Sequence, residues 1–248
     1  MSVRSISTPF KDAMNRKTAA LAEIVESHWQ TTPKNLLVVG CGTGDEAGVL
    51  ARRFNIKTIG IDIGDEFAFD RERAAPAKLE IMDAHALTFP DSSFDFVYSF
   101  HALEHMSDPQ LALREMSRVL KPGGTYVIGT PNKARLIGYI GSATSLWNKI
   151  KWNVNDWMDR LSGQWSNEAG AHAGFTETEL LSMCAAAFGP DTALVTDRYY
   201  LSLYGKKRIK TLIRLKLSHR IFPCVYIVGT RWGGMSGFTS SPHYCPIG

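Results

Sequence analysis

The stretch Leu36-Leu37-Val38-Val39-Gly40-Cys41-Gly42-Thr43-Gly44 runs four apolar residues straight into a glycine-rich turn, and a helical pattern follows over 44–54. An unbroken apolar run of this length predicts a strand covered on both faces, the condition of a parallel sheet. Glycines at 40, 42 and 44 let the backbone turn without a Cβ clash and come close to a ligand at the start of the helix. A dinucleotide fingerprint would put its third glycine at position 45, where Asp45 stands, so a nicotinamide cofactor is disfavoured.

Further apolar runs at 58–61, 79–82, 94–99 and 125–129 alternate with helical stretches at 65–74 and 109–120, the last halted by Lys121-Pro122-Gly123-Gly124. A leading helix is expected over 9–29, with Ala19, Leu21, Ala22, Ile24 and Val25 as its apolar stripe and Pro33 beyond its end. After Pro131-Asn132 the alternation stops. Residues 133–170 hold Trp147, Trp152, Trp157 and Trp165 at helical spacings with no strand-like run, and read as an inserted helical cap. A helix over 176–188 opens with Thr176 and Glu179 at capping-box spacing. Two strand-like runs, 193–204 and 224–232, then flank a basic stretch at 206–220. The expected architecture is α/β: a doubly wound, Rossmann-like, seven-stranded and mostly parallel sheet with a final antiparallel strand pair at its edge. It forms one domain over 1–248, with a leading helix (1–34), a cofactor-binding core (35–132), the cap (133–170) and a C-terminal helix with edge strands (171–248).

A chain of 248 residues, 44% hydrophobic, suits one large domain and leaves little for a second. Its first residues lack the apolar centre of a signal peptide, and no run reaches the roughly 18 apolar residues of a membrane span, so a cytoplasmic protein is expected. Cys41, Cys184, Cys224 and Cys245 lie far apart without zinc-site spacing, which predicts reduced thiols and no metal. Charge is uneven: residues 1–132 hold 14 Lys/Arg against 17 Asp/Glu, and residues 133–248 hold 14 against 7. A basic C-terminal half suits phosphates, anionic lipid or an acidic acceptor, or is a solvated face.

The residues around the glycine turn narrow the chemistry. Asp62 ends the second strand 22 residues beyond Gly40, where a carboxylate accepts both ribose hydroxyls of a nucleoside lying across the strand ends, or else caps a helix. Asp83 follows the third strand within reach of an adenine amino group. The fourth strand opens with Asp95 and leads into Phe100-His101-Ala102-Leu103-Glu104-His105, and all these polar residues are expected at one carboxyl edge.

With those residues in view, the chain resembles class I S-adenosylmethionine-dependent methyltransferases of the ubiquinone- and menaquinone-biosynthesis type (methyltransferase type 11). The matching stretches are Val39 to Gly44, Ile61-Asp62, Asp83-Ala84, Phe89-Pro90-Asp91-Ser92-Ser93-Phe94-Asp95, Leu103-Glu104-His105, Glu115 to Gly124, and His172-Ala173-Gly174-Phe175-Thr176. The resemblance implies that Gly40, Cys41, Gly42 and Gly44 back the methionine part of S-adenosylmethionine. It likewise assigns Asp62 with Ile63 to the ribose, Asp83 with Ala84 to the adenine, and His101 to the side of the methyl donor. One departure is Val38, at a place where the family usually carries an acidic residue, so the glycine loop must be positioned by other groups.

Methyl transfer from a sulfonium asks mainly for in-line alignment, and a base is needed only for a hydroxyl or carbon-acid acceptor. Candidate bases are His101, His105 and His172, with Glu104 beside them; each also reads as a structural group, His105 as a brace for the next helix. The tryptophans of 133–170 read either as an aromatic pocket over the donor or as core. Residues 206–217 fit a helix with Ile209, Leu212, Ile213 and Leu217 on one side and Lys206, Lys207, Lys210 and Arg214 on another, which packs on the domain or touches anionic membrane peripherally. The expected function is methyl transfer to a small-molecule acceptor, oxygen favoured. The alternatives are a lipid or quinone precursor met at the membrane, and a non-catalytic S-adenosylmethionine-binding subunit. A nucleic-acid partner is not expected: the basic excess is modest, and the Asn/Asp-Pro-Pro-aromatic loop of amino-group nucleic-acid methylases is missing after the fourth strand.

Overall fold

The computed structural model describes residues 9–66, 74–139, 144–205 and 207–233. Leu36 to Val39 form most of β1 (Asn35–Val39), and all four are buried, as a strand covered on both faces requires. It pairs in parallel with β2 (Lys57–Asp62) on one side and β4 (Phe94–Phe100) on the other. β3 (Lys78–Ile81) extends the sheet beyond β2, and β5 (Leu120–Pro131) extends it beyond β4, both in parallel. β7 (Cys224–Thr230) runs antiparallel beside β5, and β6 (Thr192–Leu194) runs antiparallel beside β7, giving the order β3-β2-β1-β4-β5-β7-β6. The chain winds outward from β1 to β3 and then crosses back to β4. The connections leaving β1 and β4 therefore part at their carboxyl ends and open a crevice there.

Alternation along the strands feeds two cores. Leu37, Val39, Val97 and Ile128 face α3 (Pro109–Val119) and α5 (Glu177–Phe188), which contribute Leu113, Met116, Leu180 and Phe188. Leu36, Val38, Phe96 and Tyr98 face the opposite side, covered by Leu21 and Ile24 of α1 (Pro9–Glu26) and Leu50 of α2 (Asp45–Phe54). α2 carries Asp45 and Glu46 in its first turn and Arg52 and Arg53 in its last, matching the helix dipole at both ends. α3 starts with Pro109 and is capped by the Asp108 side chain, which accepts from the Leu111 N–H, so the brace at this helix is Asp108 rather than His105. The expected capping box of α5 is present between Thr176 and Glu179.

The 193–204 run is not a strand. β6 stops at Leu194, and α6 (Thr196–Tyr204) takes over with Tyr199 and Tyr200 buried on the α1 side of the sheet. The tyrosines mimic strand composition, but Val195, Tyr199, Tyr200 and Leu203 recur at helical intervals, and burial of that stripe decides the outcome. α7 (Lys207–Arg214) packs Ile209, Leu212 and Ile213 onto the same core, and the short α8 (Ser218–Ile221) leads into β7. Lys121-Pro122-Gly123-Gly124 does not lie outside the sheet. It forms an irregular start to β5, with the register against β4 shifting between Phe94 and Phe96. Asp95 lies at the amino end of β4, not at the carboxyl edge. There it accepts from the Lys34 and Asn35 N–H groups and pairs with Lys121 at 2.6 Å. Within 133–170 the helix is α4 (Leu146–Leu161). Of the helix expected over 65–74, residues 67–73 lie outside the described residues. Among the described residues no helix is long and apolar enough to cross a membrane.

Candidate functional site

The glycine turn after β1 is shaped by three positive φ angles: 71° at Gly40, 49° at Gly42 and 81° at Gly44. A side chain at Gly40 would place its Cβ 2.1 Å from that of Ala102, whereas at Gly42 it would meet nothing within 4 Å and project into open space. The loop is held from β2. The Gly40 and Cys41 N–H groups both donate to the Ile61 carbonyl at 2.9 Å, and the Gly42 N–H donates to Asp62 Oδ2 at 2.7 Å. Asp62 also accepts from the Gly64 N–H at 3.2 Å. Val38 is buried in the core, so Asp62, one strand over, supplies the acidic anchor that the sequence lacks at position 38. Asp62 is not the N-cap of a helix among the described residues.

These groups open onto a crevice of about 500 Å³ lined by Gly40, Gly42, Asp62, Ile63, Asp83 and Ala84, with His101 and His105 at its other end. A volume of this size is that of a small-molecule site. Cys41, Gly44 and His172 are not part of this lining. Cys41 turns its side chain into the core, where burial, then the Asp62 charge, pushes its thiol up to about 12. Gly44 caps α2 and leaves no room for a side chain against Leu79 and Ala74. His172 meets the site from outside: Gly174 fits only as glycine against the Pro131 carbonyl, and the strap it shapes brings the His172 ring to 4.5 Å from that of His105.

His101 sits at φ 52°, a left-handed conformation uncommon for a non-glycine residue, with its N–H bonded to the Gly129 carbonyl. Its Nδ1 lies 3.4 Å from Glu104 Oε1 and its Nε2 3.5 Å from Cys224 Sγ. Burial disfavours the imidazolium, but Cys224 and Glu104 outweigh it and push His101 up to about 10. Burial likewise opposes the Cys224 thiolate, yet the His101 ring holds this thiol below the ordinary cysteine value. Glu104 is buried beneath both histidines, 3.9 Å from His105 Nε2, with its Oε2 lacking a hydrogen-bond partner. A buried carboxylate, an imidazole and a thiol thus lie in line, an arrangement that favours the thiolate of Cys224. Iodoacetamide at pH 7 is therefore expected to label Cys224 well ahead of Cys41 and Cys184, and His101→Ala to slow that labelling about tenfold, read by peptide mapping. Equal labelling of Cys224 in both proteins would show the thiol to be unactivated.

The structure adds groups that spacing alone does not bring together. His85 donates from Nδ1 to Asp83 at 2.6 Å and accepts the Asp108 N–H at Nε2, so both ring nitrogens are engaged. The His85 backbone N–H and then its ring hold the Asp83 carboxyl below the usual carboxylate range. Behind the loop, Tyr98 donates to Glu46 at 2.6 Å and Thr18 at 3.3 Å, and burial pushes that carboxyl up. His85 stands two residues from Asp83, a local signal that the sequence reading passed over, whereas the Cys224–His101 contact spans 123 residues.

Comparison with known proteins agrees with this geometry. Residues 37–128 match the family model described as a methyltransferase domain. The 2-methyl-6-phytyl-1,4-hydroquinone methyltransferase of Synechocystis sp. is 35% identical over 149 residues, covering 57% of this chain and 43% of that protein. The ajmaline N-methyltransferase of Rauvolfia serpentina is 31% identical over 136 residues, covering 46% and 47%. The chain thus spans about half the length of the curated relatives it matches. In fold it is similar to the plantazolicin methyltransferase BpumL, whose structure was solved with a triazolic desmethylPZN analog and SAH, at a TM-score of 0.61 and 15% identity over 91% of this chain and 86% of that one. The glycine loop at the switch point of this sheet lies inside residues 37–128, the stretch that matches the methyltransferase domain.

Proposed function

We propose that this chain transfers the methyl group of S-adenosylmethionine to an oxygen atom of a small-molecule acceptor. The observation that carries the reading is the single crevice with the glycine loop and two carboxylates at one end and the His101–Glu104–His105 cluster at the other. Its residues fit the donor. Each carboxylate oxygen accepts more than one hydrogen bond, so Asp62 can hold both the Gly42 N–H and the ribose hydroxyls. Ile63, Met82 and Ala84 offer apolar surface for the adenine beside Asp83, and the open space before Gly42 takes the methionine arm. When bound, the cofactor supplies an electrophilic methyl on a sulfonium.

The remaining work belongs to the protein's own groups. His105, exposed at the crevice, receives the proton of an acceptor hydroxyl, and the buried Glu104 charge stabilises the imidazolium that forms. His101, with both ring nitrogens turned to Glu104 and Cys224, positions rather than abstracts. In this reading residues 35–132 carry the donor, and 133–170 and 171–248 complete the single domain. The likeness to an N-methyltransferase favours a second reading, with an amine nitrogen as the acceptor atom. Incubation of the protein with methyl-labelled S-adenosylmethionine and a metabolite extract is expected to yield a product one methyl heavier, and fragmentation of it tells oxygen from nitrogen. Donor binding without any labelled product would instead mark a non-catalytic binding subunit.

Asp62→Ala is expected to weaken cofactor binding by about 1.5–3 kcal/mol, because charge-assisted bonds to the ribose are lost. Since the same carboxylate anchors the Gly42 N–H, a modest fall in melting temperature should accompany it. Unchanged affinity by calorimetry would remove Asp62 from the site.

A further inference from the structure

Helix α4 is turned inside out. Its buried side chain is Asp156, which pairs with Arg135 at 3.1 Å and accepts from the Tyr139 hydroxyl. Asn153 bonds the Gly138 backbone, and Arg160 donates to the Lys133 and Arg135 carbonyls. The polar face therefore docks on the 133–139 strap. At about 100° per residue, Leu146, Trp147, Ile150, Val154, Met158 and Leu161 share one arc about 120° wide. All six are exposed, Trp147 by 80% and Leu161 by 81%. Among the described residues, none of 133–170 lines the crevice, so Trp147, Trp152 and Trp157 are neither a pocket over the donor nor core.

We propose that this face is an interfacial anchor that lays α4 into the surface of an anionic lipid bilayer. Contiguous exposed apolar surface of this kind marks a protein or membrane contact. A second copy of the chain is the weaker occupant. Sixteen residues make a helix about 24 Å long, and a strip about 10 Å wide covers on the order of 250 Å², against about 800 Å² per partner in a stable interface. The side chains suit lipid: tryptophan belongs at the boundary between headgroup and acyl chain, and Lys149 and Lys151 flank the arc with stems long enough to reach headgroups. A groove of about 400 Å³ between Ile137, Ile150 and Val154, with mostly apolar walls, offers room for an acyl chain. Charge agrees. Lys207, Arg208, Lys210, Arg214, Lys216 and Arg220 are exposed, and the Arg220 carbonyl accepts the Leu136 N–H, so this basic segment meets the strap that carries α4.

Flotation of the full chain with vesicles of phosphatidylcholine, with and without phosphatidylglycerol, tests the anchor. The protein is expected to float with the phosphatidylglycerol vesicles and to shift its tryptophan emission to the blue. Trp147→Glu with Leu161→Glu should weaken partition on the order of 100-fold at an unchanged melting temperature, since both side chains are exposed. Failure to bind, binding untouched by the double variant, or a dimer in light scattering that the double variant dissolves would each overturn the proposal. None of these outcomes depends on methyl transfer, which the labelling experiment reads separately.

Discussion

Gly40→Ala is expected to destabilise the fold by about 3 kcal/mol and to abolish measurable cofactor binding. Two costs combine. The backbone at φ 71° is left-handed, which costs an L-residue roughly 1–2 kcal/mol, and the added methyl would stand 2.1 Å from the Ala102 Cβ, an overlap that typically costs about 1–3 kcal/mol to relieve. Relief would push the 101–103 segment, and His101 with it, away from the donor. Gly42→Ala is the control. Its methyl meets open space, so the fold should lose only the backbone cost of about 1–2 kcal/mol, while the methyl intrudes on the crevice and lowers affinity. Denaturant titration and calorimetry on both variants check this, and equal stability for the two would refute the crowding at Gly40.

Asp156→Ala should release α4 without unfolding the sheet. The Arg135–Asp156 pair is buried on both sides, and removing one partner of such a pair costs about 3–5 kcal/mol because the other charge is stranded. Beside this pair α4 is held by the Asn153 and Arg160 bonds to the strap, and its apolar face, which points outward, adds no core packing. The loss therefore appears as local opening. Hydrogen exchange is expected to show protection falling across Leu146–Leu161 while β1, β4 and β5 keep theirs. Unaltered protection of α4 would mean that the ion pair does not hold it.

The sheet was legible because β1 buries an unbroken apolar run and β4 and β5 bury most of theirs, and the glycine loop because positive φ at Gly40, Gly42 and Gly44 demands that residue. The capping box of α5 and the packing of α7 were legible for the same local reasons. The 193–204 segment was misread because tyrosine favours strands in composition, while burial of a helical stripe settles the structure. The direction of α4 was beyond the sequence: periodicity gives a helix two faces, and the usual assumption that the apolar one turns inward is reversed by Asp156, Asn153 and Arg160 bonding the strap. At the site, Asp62, Asp83 and the histidines were visible in the sequence as candidates. The Cys224–His101–Glu104 line was not, because β7 reaches β5 only through the tertiary fold.

The central claim, a crevice built for S-adenosylmethionine, is tested most directly by calorimetric titration of the protein with S-adenosylhomocysteine, with NAD as the control. The account predicts one site with a dissociation constant of roughly 1–100 µM for the sulfur ligand and no heat with NAD. No heat with S-adenosylhomocysteine, or a preference for NAD, would contradict it.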